Sequence, residues 1–164
     1  MRMNSPNQCA PAGPSPSRMG LPPALVVGAV GHARAVLEVI RAAGLYTVAG
    51  LIDSFQPAGV ECLGHRVLGG EADIPRLLDA LGCDRVILAI GDNFGRAGLW
   101  ARVQAAAPYA RLTGAIHPSA VIAPDVAMGP GCVILPGAVV VSGSRLGQGC
   151  LINTGASLDH DGEM

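Results

Sequence analysis

The sequence predicts an α/β domain on a parallel sheet, followed by a parallel β-helix. Three observations predict it. Continuously apolar strands alternate with helical segments between Leu25 and Ala107. From Ile116 the alternation stops and a six-residue period runs without a gap. The chain is 50% hydrophobic but only 3% aromatic, with 23 Gly and 13 Pro. Its interior is therefore aliphatic and its backbone tightly turned. A length of 164 residues holds one ordinary domain or two small ones.

Residues 1–23 read as a disordered Pro/Ser tail without the apolar core of a signal peptide. Translation from Met19 is the alternative for the same text. Residues 24–114 carry the alternation. Leu25-Val26-Val27-Gly28 is a buried strand that stops at glycine. Ala33 to Ala43 places Val36, Leu37 and Ile40 at helical spacing, and Gly44 ends the helix. Thr47 to Asp53 is a second strand, and His65 to Leu68 a weaker third. Asp73 is an N-cap with Pro75 in the first turn and Leu77, Leu78 and Leu81 as the buried stripe. Asp84 to Gly91 is the clearest strand. A helix from Phe94 to Ala107 follows, stopped by Pro108.

Residues 115–164 are hexapeptides. Written in sixes, the first column reads Ile116, Ile122, Met128, Ile134, Val140, Leu146, Ile152 and Leu158. The fifth column is small or β-branched throughout, from Ala120 to Gly162. Both columns are expected to point into a triangular prism. Three sixes close one coil, so residues 18 apart stack, Cys132 under Cys150.

Net charge is −1, from 11 basic residues, all Arg, and 12 acidic ones. That excludes the basic face a nucleic-acid binder needs. No apolar run reaches membrane-spanning length. The five cysteines, Cys9, Cys62, Cys83, Cys132 and Cys150, lack the spacing of a disulfide framework or zinc site. They read as free thiols in a reducing cytoplasm. A hexapeptide carbonic anhydrase would need three histidines on zinc, and the repeats hold only His117 and His160, so no metal is implied.

Four segments could carry chemistry. Gly28-Ala29-Val30-Gly31-His32 joins a strand to a helix, where backbone N–H groups favour a pyrophosphate or simply turn the chain. Asp53 ends the second strand, placed to meet a ribose hydroxyl or to start a loop. Gly91, Asp92 and Asn93 end the last sheet strand and either line a sugar pocket or cap the next helix. His160, followed by Asp161, is a general base or a surface corner residue.

Taken together, Gly28-Ala-Val-Gly-His32, Leu51-Ile-Asp53, Ala89-Ile-Gly-Asp-Asn93, His117-Pro-Ser-Ala and the hexapeptides resemble one family. It is the bacterial sugar acyltransferases of the sialic acid O-acetyltransferase and UDP-4-amino-sugar N-acetyltransferase (NeuD/PglD-like) type. The resemblance covers about residues 24 to 161. It implies a Rossmann-like nucleotide-sugar domain followed by a left-handed β-helix, a homotrimer, and acetyl-CoA as acyl donor. It implies His160 as catalytic base with Asp161 orienting it and Asn153 near the acceptor. It also assigns the substrate to Gly28, Gly31, His32, Asp53, Gly91, Asp92 and Asn93. Where the family pattern has glycine, this chain has Val30, which resists positive φ and close approach of a phosphate. Family members continue for further hexapeptides that carry the CoA channel and trimer surface. The text ending at Met164 therefore implies a fragment or degenerate relative with little acetyl-CoA turnover. A nucleotide-sugar-binding or assembly module without catalysis is the alternative.

Overall fold

The computed structural model describes residues 20–164. Most of the expected tail and the Met19 start lie outside the described residues.

Six strands form one sheet. They are β1 (Pro23–Val27), β2 (Thr47–Ile52), β3 (Glu61–Cys62), β4 (His65–Gly69), β5 (Arg85–Leu88) and β6 (Arg111–Leu112), in the order β3-β4-β2-β1-β5-β6. All pairings are parallel except the β3–β4 hairpin. The sheet is covered on both faces, as continuously apolar strands require. Ala24 and Val26 of β1 pack with Val36, Leu37 and Ile40 of α1 (Ala33–Ala43). Leu25 and Val27 face Leu77 and Leu78 of α2 (Ile74–Leu81) and Leu99, Trp100 and Val103 of α3 (Asn93–Ala106). Gly44 ends α1 in the left-handed conformation at φ 65°, where a side chain would be strained.

Some details depart from the sequence reading. The Asp73 side chain does not cap α2. Its Oδ2 accepts from the Gly70 N–H at 3.0 Å and closes the short 3₁₀ turn Glu71–Asp73 instead. Leu81 is 41% exposed rather than part of the buried stripe, because it is the last residue before the Gly82 cap. Cys83, Cys132 and Cys150 are free thiols. Cys62 is disulfide-bonded, which corrects the reading of free thiols at that position.

Beyond the sheet come eight two-residue strands: β7 (Ala115–Ile116), β8 (Val121–Ile122), β9 (Ala127–Met128), β10 (Val133–Ile134), β11 (Val139–Val140), β12 (Arg145–Leu146), β13 (Leu151–Ile152) and β14 (Ser157–Leu158). They stack into three faces, β13-β10-β7, β14-β11-β8 and β12-β9. Every pairing joins residues 18 apart: Val133 meets Ala115 and Leu151, Val139 meets Val121 and Ser157, Arg145 meets Ala127. This is the left-handed β-helix. Its interior holds Ile134, Val140, Leu146 and Ile152 with Cys132 and Ala138; Ile116, Ile122, Val126, Cys150 and Leu158 pack against them. Met128 is the exception in its column, 42% exposed. Its strand β9 pairs on one side only, at the open end of the third face. Ala115, Val133 and Leu135 pack into the α1 cluster, so the prism docks on the sheet through one of its outer faces.

Candidate functional site

The C-terminal edge of the sheet gathers the residues expected to hold a nucleotide sugar. After β1 the chain turns at Gly28, φ 118°, where a Cβ would lie 2.7 Å from the Ala89 carbonyl oxygen. Only glycine fits that approach of β1 to β5. Gly31, φ 58°, borders open space, and His32 opens α1 without a side-chain cap. Asp53 is 9% exposed, and its carboxylate grips this turn from the neighbouring strand. Oδ2 accepts from the Ala29 N–H at 2.9 Å and Oδ1 from the Phe55 N–H at 2.8 Å. Asp53 thus welds the β1 and β2 turns together. Asp92 caps α3 by accepting the Gly95 N–H, 2.5 Å, while Gly91 and Asn93 sit exposed beside it.

Sequence reasoning missed Arg96. It is 9% exposed, and its guanidinium donates to four oxygens. Nη1 reaches the carbonyls of Ile90 and Gly91 at 3.0 and 3.2 Å, Nη2 the Asn93 Oδ1 at 2.7 Å, and Nε the Gly149 carbonyl in the β-helix at 2.9 Å. All four acceptors are neutral, and among the described residues no carboxylate pairs with this charge. One cation therefore shapes the Gly91–Asn93 loop and bolts it to a coil corner. His32 feels it: burial, then the Arg96 charge, hold its imidazole below the usual histidine range. His32 Nε2 is buried with no hydrogen-bond partner. The available signal was an arginine three residues after Asn93, one helical turn along α3.

The second group lies at a coil corner. His160 Nδ1 and Asp161 Oδ2 are 2.9 Å apart, with both side chains largely exposed. The Asp161 hydrogen bond, then its charge, push the imidazole above the usual histidine range. Asp161 has φ 56°. In its column, Gly131, Gly137, Gly143, Gly149 and Gly155 take that left-handed conformation. Asp161 takes it as a non-glycine residue, which costs about 1 kcal/mol. Below it, Asp125 Oδ2 accepts from the Ser142 hydroxyl at 2.7 Å and the Gly143 N–H at 2.9 Å, fixing the corner. Asn153 is exposed in the turn before β14, and His160 in the turn after it, so one short strand separates them.

The coil corner that touches the sheet edge is that of Gly149, not that of His160. A groove of about 420 Å³ runs along the third prism face, lined by Met128, Arg145, Leu146, Glu163 and their neighbours. It contains none of the expected site residues. Among the described residues no group of three or more His, Cys, Asp or Glu is placed to hold a metal ion. No helix among them is long and apolar enough to cross a membrane.

An α/β sheet with a carboxylate-braced turn, docked on a hexapeptide prism that carries a His-Asp pair, defines a hexapeptide-repeat protein with a Rossmann-like front part. The comparisons place it more narrowly: the chain is similar to the NeuD/PglD-like sugar acetyltransferases. The PglD N-terminal domain family matches residues 24–103. PerB from Caulobacter crescentus, solved with CoA and GDP-perosamine, is similar at 36% identity and a TM-score of 0.77, over 88% of this chain and 65% of that one. Variants of the Caulobacter enzyme with one histidine replaced by asparagine or alanine, also solved with CoA and GDP-perosamine, match equally well. The acetyltransferase domain of PglB from Neisseria gonorrhoeae, with acetyl coenzyme A, is similar at 30% identity and a TM-score of 0.71, over 87% of this chain and 66% of that one. The chain thus spans just under two thirds of these relatives' length. A comparison with curated proteins finds no match.

Proposed function

We propose that this chain transfers an acetyl group from acetyl-CoA to the amino group of a nucleotide-linked amino sugar destined for surface glycan. The observation that carries the reading is the His160–Asp161 pair, held at 2.9 Å on a left-handed backbone. With Nδ1 engaged by the carboxylate, Nε2 is the ring nitrogen left for substrate. His160 takes the proton from the acceptor nitrogen as that nitrogen attacks the thioester carbonyl. Asp161 keeps the ring oriented and stabilises the imidazolium that results. The proton then leaves with the thiol product.

The sheet edge binds the nucleotide sugar, with Gly28, Gly31 and His32 at the diphosphate, Asp53 bracing that turn, and Gly91, Asp92 and Asn93 toward the sugar. Asn153 helps to position the acceptor. An amine is favoured over a hydroxyl, and an amino sugar over sialic acid, because the Caulobacter relative is a perosamine N-acetyltransferase. Because the Gly149 corner meets the sheet edge, a homotrimer would let His160 of one protomer serve the edge of the next. The reaction is cytoplasmic, where acetyl-CoA and nucleotide sugars meet.

A second reading, nucleotide-sugar binding without turnover, draws on the sheet edge alone, which is bonded to the Gly149 corner of the prism and not to that of His160. Calorimetry with GDP- and UDP-4-amino-sugars, followed by thiol release from acetyl-CoA, separates the two. Thiol release lost in His160→Ala supports catalysis. Binding without release supports the second reading, and absence of both removes the proposal.

A further inference from the structure

The most exposed hydrophobic side chains among the described residues are Phe55, at 93%, and Phe94, at 90%. They are two of only five aromatic residues in the chain. Phe55 follows the C-terminal end of β2 and Phe94 that of β5, the two strands that flank β1. Both residues therefore follow strands that lie on either side of β1, beyond the same edge of the sheet as the Gly28–His32 turn. Neither is carried by a loose backbone. The Phe55 N–H is held by Asp53 Oδ1, and Phe94 lies in the first turn of α3 under the Asp92 cap. Strands β2 and β5 are two spacings apart, about 10 Å, so both residues rise from the sheet edge within the span of one bound nucleotide. The neighbouring edge residues are glycine and polar groups: Gly31, where an added side chain would meet open space, and the exposed Asp92 and Asn93 that precede Phe94.

We propose that Phe55 and Phe94 form an aromatic platform that stacks the base of the nucleotide sugar. The proposal rests on the reading of the sheet edge as the nucleotide-sugar site. Every base presents a π face, so such a platform supplies affinity without choosing between purine and pyrimidine. A docking surface for protein would join its apolar groups into one patch, whereas here polar groups separate the rings.

The test is calorimetry on the full chain with UDP, GDP and inorganic pyrophosphate. Phe55→Ala and Phe94→Ala each weaken both nucleotides about 5- to 150-fold. Pyrophosphate binding is unchanged, and Phe→Tyr at either position restores nucleotide affinity. Both variants should fold, since the rings are almost wholly exposed. Unaltered UDP and GDP affinity in both Ala variants overturns the platform and leaves the sheet-edge reading standing. A wild-type chain that binds neither nucleotide overturns both. If the Ala variants keep nucleotide affinity but break up an assembly in sedimentation, the rings cover a second copy and the platform is wrong.

Discussion

Asp161 sits one coil above Gly143, and a Cβ built on Gly143 would collide with the Asp161 Oδ1. Glycine at 143 is thus favoured by its φ of 76°, and a side chain there would displace the carboxylate that rests over it. Gly143→Ala should cost about 1–2 kcal/mol through the backbone alone. It should also push Asp161 off His160. The His160 ring protons, followed by NMR, would then titrate nearer the ordinary histidine range. A titration unchanged from wild type would mean that Asp161 does not depend on the corner beneath it.

The raised affinity of His160 for protons fixes a pH dependence. In the proposed role of general base His160 acts when neutral, so the rate should rise with pH through a limb above the ordinary histidine pKa of about 6.5. Asp161→Asn removes the largest cause of the shift. The limb should then move toward acid while the maximal rate falls, because the ring loses its orienting partner. A limb that stays in place in this variant would assign the titration to another group.

Asp53 should matter for folding before it matters for substrate. Removing its carboxylate takes the acceptor from the Ala29 and Phe55 N–H groups at once. Asp53→Ala should lose about 2–4 kcal/mol in denaturant unfolding, and Asp53→Asn, which keeps one acceptor oxygen, roughly half of that. Equal stability of all three proteins would show that the brace is dispensable.

The same substitution at two places in one column should have opposite outcomes. Ile134 is fully buried and Met128 is 42% exposed. Ile134→Asp puts a carboxylate inside the prism and forfeits about 1.5–3 kcal/mol of burial besides, so thermal unfolding should show the coils lost. Met128→Asp should shift the melting temperature little. Comparable losses at both positions would mean that Met128 belongs to the interior as well.

Period explains what was legible. Helix α1 stands on Ala33–Ala43 as the spacing of Val36, Leu37 and Ile40 and the stop at Gly44 required. The prism followed from a repeat that admits one register, because a slip by one residue turns every aliphatic outward. Period was silent for β3 and β6, two residues each, whose places are decided by neighbours distant in sequence. It was silent on Met128 as well, since the column repeats while the stacking ends. At the candidate site, residue type led to His160 and Asp53. It did not reveal that both Asp53 oxygens are engaged by backbone, nor that Arg96 joins the two halves. A lone arginine on a weakly amphipathic helix looks like a solvated charge until Gly149 arrives from 53 residues away.

The join between sheet and prism also bears on how such proteins can be shuffled by recombination. Ala115, Val133 and Leu135 belong to the apolar cluster of α1, and the Gly149 carbonyl completes the Arg96 shell. A crossover in the short link between Leu112 and Ala115 would separate these partners. Two lineages could therefore trade their sheet halves only if the recipient prism already carried small apolar residues on the docking face and a free carbonyl at that corner. A change in what the sheet edge binds would be reached more readily by drift within its loops than by exchange of the whole front half.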